Sequence, residues 1–541
     1  MIDSFRNLLI YSHNFAPSLC AFLFGLSAFA AYTDENRRGF WLRVCFLSVV
    51  FFVTFFAGFR VVEEVTFAPV DLVLPISFVA LGLAVWLVWL REGQPRLDQL
   101  ARKATRRTAL AGNQKTDIRY IENFLPPVEA PFDPRKYFTP GKFFLGLNEG
   151  EPVFFERAVL PHVQITGSSG FGKGIAIASL TAQCVQAGEA VFILDPKDDE
   201  WQPHVLAKIA RDAGKPFIML DLRPEAPPQV NFFDDASQYE IEELFLGAFS
   251  LSEKGSDSDF YTIDDRACAW LVAKNFQAGD TPASLFNRYG ADLEQKAKKF
   301  HGLLREMAEL APVNAKHGAD LAKIVQDGGA LYAIGSMRNA KVVRMQRMLL
   351  VKIIQLCERR DRTQGKSRPV CAVLDEAKYH ISKPFLEALG AARDKGLHVI
   401  VAHQSFNDLL DVPADFNANA VVSSVMENCT LKIAYKVQDP KTAKWLAEKS
   451  GVIQVSDTVE FVTRNSALSE VVGGDHQIRQ SERFLIDENM FSALNENQGA
   501  LYGNGTASFI TTSKIIVEKD PKILVPQAYE GDEVISAKDL I

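Results

Sequence analysis

Apolar residues are distributed in two regimes along this chain. Near the start they form three long runs, Phe15–Tyr32, Phe40–Phe59 and Pro69–Leu90, each close to the ~20 residues a helix needs to cross ~30 Å of hydrocarbon. These predict an anchor over residues 1–92 with two or three transmembrane helices. Arginines and lysines crowd the first connection (Arg37, Arg38) and the exit of the third run (Arg91, Arg96, Arg102, Lys103, Arg106, Arg107), which by the positive-inside bias puts the remainder in the cytoplasm. Further on the runs shorten. Ala190–Leu194, Phe217–Leu220, Val370–Leu374 and Leu397–Ala402 are continuous and apolar, the pattern of strands buried on both faces of a parallel sheet, and helix-period segments separate them. A last core strand is expected at Thr430–Val437 and hairpins through Val455–Arg483. This is α/β patterning. Ser237–Asp327 interrupts it with helical periodicity alone and predicts an all-α insertion.

The expected order is therefore anchor (1–92), basic juxtamembrane linker (93–140), first part of a nucleotide-binding domain (141–236), all-α domain (237–327), second part (328–512) and a short acidic tail (513–541). Prolines 126, 127, 131, 134 and 140 mark the linker as extended, and the β-like runs Phe143–Gly146 and Val153–Phe155 predict a hairpin before the first core strand.

Candidate chemistry sits at the ends of the expected strands. Val163–Thr166 runs into Gly167-Ser168-Ser169-Gly170-Phe171-Gly172-Lys173-Gly174-Ile175 and then a helix through Ala187. Such a turn aims successive N–H groups at one point, the helix N-terminus adds positive potential, and Lys173 supplies a mobile charge for the β and γ phosphates. The spacing is that of a phosphate cradle for ATP, except that Gly174 stands where a Ser or Thr hydroxyl would bind Mg²⁺. Val370–Leu374 delivers Asp375 toward that metal and Glu376 toward the attacking water; Gln404, at the tip of the Leu397–Ala402 strand, is placed to sense the γ-phosphate; Arg393 precedes that strand on a helix and could reach a neighbouring subunit's nucleotide.

Net charge is −7, so no chain-wide basic surface advertises nucleic acid, and any polyanion contact is local. Arg338, Lys341, Arg344 and Arg347 recur every three residues and could line such a path, although a solvated face is the favoured explanation. The seven cysteines form no CxxC pair, and neither disulfides nor zinc are expected.

Taken together, Gly167–Gly174, Asp195-x-Lys197, Asn231-Phe232, Leu374-Asp375-Glu376, Arg393-x-x-Gly396 and Gln404 behind an apolar N-terminus resemble the type IV secretion coupling proteins, conjugation ATPases similar to the FtsK and HerA translocases. The resemblance covers roughly residues 140–510. It implies N-terminal transmembrane helices on a RecA-like P-loop ATPase with an inserted all-α domain, a multi-pass protein of the bacterial inner membrane working as a homo-hexamer with ATP and Mg²⁺. The implied partners are a relaxase-bound single DNA strand or effector proteins, together with the channel components of the secretion system. It also implies that Arg393 is the arginine supplied across the subunit interface. Gly174 matches one branch of the family, whereas a third membrane run departs from most members. Two other readings stand beside it: a membrane docking receptor with a degenerate ATPase, favoured by Gly174, and an FtsK-like double-stranded DNA pump, for which the residues after the core leave no room for a winged-helix DNA reader.

Overall fold

The computed structural model describes residues 2–33, 38–54, 73–93, 118, 121–159, 161–251, 255–360, 367–412, 416–464 and 470–534. The chain divides into two units, Met1–Leu110 and Ala111–Ile541.

In the first unit α1 (Ile2–Thr33) packs against α2 (Arg38–Val53) and α3 (Val73–Val88), with Trp41 and Trp86 edge to face at 5.2 Å. The structure overturns the expected two or three crossings, and with them the multi-pass inner-membrane placement. Among the described residues no helix is long and apolar enough to cross a membrane. At 1.5 Å per residue the 16-residue α2 and α3 reach only about 24 Å. The longer α1 carries Asp3, Arg6, Asn7, His13 and Asn14 in its first half. Residues 55–72, over which the second and third apolar runs continue, and most of the 93–140 linker lie outside the described residues.

The second unit is built on one eleven-stranded sheet. Its strands are β1 (Lys142–Asn148), β2 (Glu151–Glu156), β3 (Val163–Thr166), β4 (Ala190–Asp195), β5 (Phe217–Asp221), β6 (Gly329–Ile334), β7 (Val370–Leu374), β8 (Leu397–His403), β9 (Leu431–Ala434), β12 (Gln498–Tyr502) and β13 (Ser508–Thr511). Between β9 and β12 a separate antiparallel hairpin is formed by β10 (Val452–Arg464) and β11 (Glu470–Phe484). The order is β2-β1-β13-β12-β9-β3-β8-β7-β4-β6-β5, parallel from β9 to β5 and antiparallel across the other four. Successive residues of the central strands alternate between two cores, so both faces are buried: Val191 and Ile193 pack under α4 (Lys173–Gln186) and α5 (Gln202–Asp212), while Phe192 and Leu194 face the opposite side. That second core is closed by α11 (Ala340–Glu358), α12 (Lys383–Gly390) and α13 (Ala418–Asn428), and it runs without a break into the helical insertion.

The insertion comprises α6 (Gln238–Phe249), α7 (Gly255–Lys274), α8 (Pro282–Lys296), α9 (Lys298–Ala308) and α10 (Leu321–Asp327). One continuous helix over 291–310 is what the local pattern favours, yet the chain breaks at Ala297 (φ −144°) because the buried Asp265 carboxylate accepts the Phe300 N–H at 2.8 Å and caps α9 from another helix. The basic face of α11 is neutralised where α9 meets it, Lys341 by Glu309 and Arg344 by Glu306, which weakens the reading of that helix as a DNA path. The tail, in turn, is held. Tyr529 N–H donates to Pro228 O at 2.8 Å, Lys316 pairs with Glu530, and Thr281 donates to Asp532, so residues 513–534 run along the molecule to the insertion; 535–541 lie outside the described residues.

One buried side chain ties the insertion together. Asn314, fully buried, donates to the carbonyls of Met307, Ala308 and Leu310 at the end of α9 and accepts the Ala283 N–H at the start of α8. Asn314→Ala leaves those groups without partners and is expected to lower unfolding stability by about 2–4 kcal/mol; a shift in the denaturant midpoint worth less than about 0.5 kcal/mol would show that water replaces the side chain at little cost.

Candidate functional site

Four neighbouring parallel strands, β3, β8, β7 and β4, end in line, because Thr166 is in register with His403, Leu374 with Val401, and Leu194 with Leu374. Everything that follows these residues projects from one edge of the sheet, the place where α/β folds bind ligands.

The Gly167–Gly172 turn leaves β3 and wraps the buried Tyr435 side chain. A Cβ on Gly172 (φ 121°) would sit 2.7 Å from the Tyr435 ring, and one on Gly167 (φ 147°) 2.7 Å from Tyr435 Cβ, so conformation and space both require glycine. Ser168 N–H donates to Lys436 O at 2.8 Å, and Asn497 N–H to Phe171 O at 3.1 Å, which fixes both ends of the turn. The N–H groups of Lys173, Gly174 and Ile175 precede the first helical bond, from Ala176 to Gly172 O. Lys173 is buried and its Nζ donates to Gly167 O at 2.5 Å; burial lowers its pKa, while the Glu376 carboxylate nearby counters that.

From the end of β7, Glu376 adopts left-handed backbone (φ 49°), a strained conformation for a non-glycine residue, and its carboxylate is buried. It pairs with Lys197 and accepts from Gln404 Nε2 at 3.0 Å. Burial alone raises its pKa; the hydrogen bonds from Gln404 and Lys197 outweigh that and hold it below the ordinary value. Asp375 behaves oppositely: burial, then the neighbouring Asp195, push it up to about 7. Asp195 ends β4 and is satisfied by the Tyr332 hydroxyl and by the N–H groups of Lys197 and Asp199, both at 2.7 Å.

Lys173, Lys197 and Asp375 line an open cleft of about 320 Å³ with Ser169, Gly174, Asp199, Trp201 and Lys514, the last with its ammonium 4.4 Å over the Trp201 ring. Glu376 and Gln404 join this group at the same strand edge through Lys197, which pairs with Glu376, and through the Gln404–Glu376 hydrogen bond. Arg393 does not: it sits on the 3-10 turn Ala392–Lys395, exposed, donating to Val159 O at 2.7 and 3.2 Å before the first residue of β8. Seven residues of β8, about 20 Å, separate it from Gln404. Asn231 also lies away, its amide bonding Asp280 O and Lys316 O where the sheet domain meets the insertion.

Sequence reasoning left Lys197, Asp195 and Lys514 without roles. The first two carry a usable signal, their place at the C-terminal end of a buried strand; Lys514 carries none, because only the fold returns it to the cleft. A divalent cation fits beside the cradle. Among the described residues Asp375 makes no ion pair within 4 Å, and its pKa is raised because burial and then Asp195 outweigh Lys197 and Lys173, while Ser169 and Asp199 add oxygens that Gly174 cannot.

Residues 369–495 match the family described as the TraM recognition site of TraD and TraG. Mobilization protein A of Escherichia coli is 29% identical over 323 residues, 58% of this chain and 59% of that protein, so the match spans less than two thirds of the relative. Among solved structures, the bacterial conjugative coupling protein TrwBΔN70 in its trigonal form with sulphate aligns with TM-score 0.54 at 15% identity (75% of this chain, 99% of that one). TrwB in complex with ADP and Mg²⁺ aligns with TM-score 0.53 at 15% identity (73% and 94%). At that identity the likeness bears on the fold alone, a large, mostly parallel sheet covered on both faces. Cradle motifs, the matched region 369–495 and the fold converge on a likeness to the type IV coupling proteins.

Proposed function

We propose that this chain is the ATP-hydrolysing motor of a conjugative coupling system, moving a relaxase-bound DNA strand or a protein substrate toward a secretion channel. The observation that carries the reading is the meeting of Lys173, Lys197, Asp375, Glu376 and Gln404 at one strand edge beside a glycine turn. ATP bound in TrwB fashion would lay its phosphates on the N–H groups of Lys173–Ile175. Asp375 would hold Mg²⁺, which would supply charge neutralisation for phosphoryl transfer. Lys173 and Lys197, held on the Gly167 carbonyl and on Glu376, can transfer to the γ-phosphate; that transfer frees Glu376 to take a proton from the attacking water while Gln404 orients it. The intact acids and Gln404 argue against a degenerate docking receptor. Residues 369–495 would hold the adaptor-recognition surface, as in the TraM-binding relatives, and the assembly would be a homo-hexamer in which Arg393, turned away from its own cradle, serves the next subunit.

Glu376→Gln should bind nucleotide within about threefold of wild type yet hydrolyse it at least about 10²-fold more slowly, and Lys173→Ala should lose turnover; undiminished phosphate release by either purified variant sinks the assignment. Because the Asp375 pKa is raised from 3.8 to about 7, the proton it binds in the metal-free folded state contributes stability below about pH 4 that disappears as pH rises through 7. The same proton competes with Mg²⁺, so affinity for the ion should fall about tenfold per pH unit below 7, and Asp375→Asn should abolish both dependences; a pH-independent Mg²⁺ titration of the wild type refutes this. For Arg393, specific ATPase activity should rise with protein concentration, Arg393→Ala should flatten that rise with nucleotide affinity kept, and mixing it with Lys173→Ala should recover part of the rate; co-assembled mixtures that recover nothing exclude action across the interface.

A further inference from the structure

At the sheet edge opposite the cradle, three buried side chains from three different elements meet. Cys371 and His398 are register partners on β7 and β8, so their side chains share one face, and Cys184 descends onto that face from α4. Their two sulfurs and one imidazole nitrogen all lie within 4.8 Å of one another, and none of the three residues is more than 1% exposed. The imidazole is oriented by its far side. Nε2 lies 3.2 Å from the Glu189 carboxylate, which can only accept, so that nitrogen carries a proton; burial opposes the charge on the ring, but contact with Cys184 and Glu189 raises its pKa to about 9, and among the described residues Nδ1 is buried with no hydrogen-bond partner. Glu189 is fixed in turn by Arg157, which also donates to Gln183 O at 2.8 Å. A buried histidine held by a carboxylate at one nitrogen and lying within 4.8 Å of two thiols has the arrangement of a metal-ligating histidine with its supporting shell.

We propose that Cys184, Cys371 and His398 bind a thiophilic divalent d¹⁰ cation of the zinc type, with water in the fourth tetrahedral position. Binding exchanges two thiol protons and the second proton of the His398 ring for the ion, giving a complex of two thiolates, one neutral imidazole and one M²⁺ whose net charge is zero, and three protons leave to solvent. Neutrality is what the site demands, since a residual charge in this core would bear a large desolvation penalty. The Arg157–Glu189 pair adds no net charge. A monovalent cation would leave the site at −1, and hard divalent ions such as Mg²⁺ prefer oxygen donors. The ion would pin α4 to β7 and β8, the three elements that carry Lys173, Asp375 with Glu376, and Gln404 at their other ends. Eleven residues of helix, about 16 Å, separate Cys184 from Lys173, so the site is distinct from the nucleotide cleft.

The test uses the full chain without an affinity tag, produced in zinc-supplemented medium and purified under reducing conditions. Elemental analysis should find about one zinc per chain, and X-ray absorption should resolve two sulfurs at about 2.3 Å and a nitrogen near 2.0–2.1 Å. Protein produced with Co²⁺ should show intense sulfur-to-cobalt charge-transfer absorption in the near ultraviolet. Cys184→Ser and Cys371→Ser should each abolish it, and Glu189→Gln should weaken zinc retention about 10–100-fold. Folded wild type without zinc, a first shell of nitrogen and oxygen only, or zinc kept undiminished by the Cys184→Ser, Cys371→Ser double variant would each overturn the proposal. The absorption measurement on wild type decides the matter even if the serine variants do not fold.

Discussion

The parallel in-register pairing of β3, β8, β7 and β4 is the constraint on which the rest of this structure depends. A one-residue slip in any of these strands would exchange the two buried cores, because Val191 and Ile193 serve one and Phe192 and Leu194 the other. The same registers fix where each strand stops. Lys173, Asp195, Asp375 and Gln404 come from segments far apart in sequence, and no loop contact gathers them; the strands deliver them side by side as a consequence of core packing.

Once gathered, the site is an electrostatic problem before it is a chemical one. Three carboxylates, Asp195, Asp375 and Glu376, share a half-buried edge with Lys173 and Lys197. Lys197 is committed to Glu376, and hydrogen bonds from Tyr332 and two backbone N–H groups satisfy Asp195. The shortfall therefore falls on Asp375, which is why its pKa rises while that of Glu376, one residue on, falls. Adjacent acids with opposite shifts are suited to different tasks, one to accept a cation and the other to remain an ionised base.

Strand ends were the legible part of this chain. Buried parallel strands announce themselves as continuous apolar runs, and the residue after such a run must face the ligand edge, so the cradle, Asp375, Glu376 and Gln404 could be placed from spacing alone. What sequence could not give was set by distant contacts. The break at Ala297 exists because Asp265 caps a helix it does not belong to. β12 and β13 are short and lie next to Gly499, Gly503 and Gly505, and they become strands by pairing with β9 and β1. The acidic tail reads as solvated, yet Lys316, Thr281 and Pro228 hold it. The apolar runs near the N-terminus misled in another way: hydropathy counts residues, whereas the described α2 and α3 each span 16 of them.

Sheet polarity also separates the features of the second unit. Parallel strands have two unlike edges, and here the C-terminal edge holds the cleft while the N-terminal edge holds Arg393, the Val159 carbonyl that orients it, and the cluster of Cys184, Cys371 and His398. With its backbone saturated by ladder hydrogen bonds and both faces packed, a sheet of this kind bends little, so the distance between its edges is nearly fixed. An arginine on the N-terminal edge cannot swing about 20 Å to its own cradle. Its guanidinium is exposed and already aimed by a carbonyl, which lowers the entropy lost when it meets an anion. On the proposed reading of Arg393, the phosphate it serves would be presented to that edge by a neighbouring subunit, and the arrival of that neighbour would complete the charge balance.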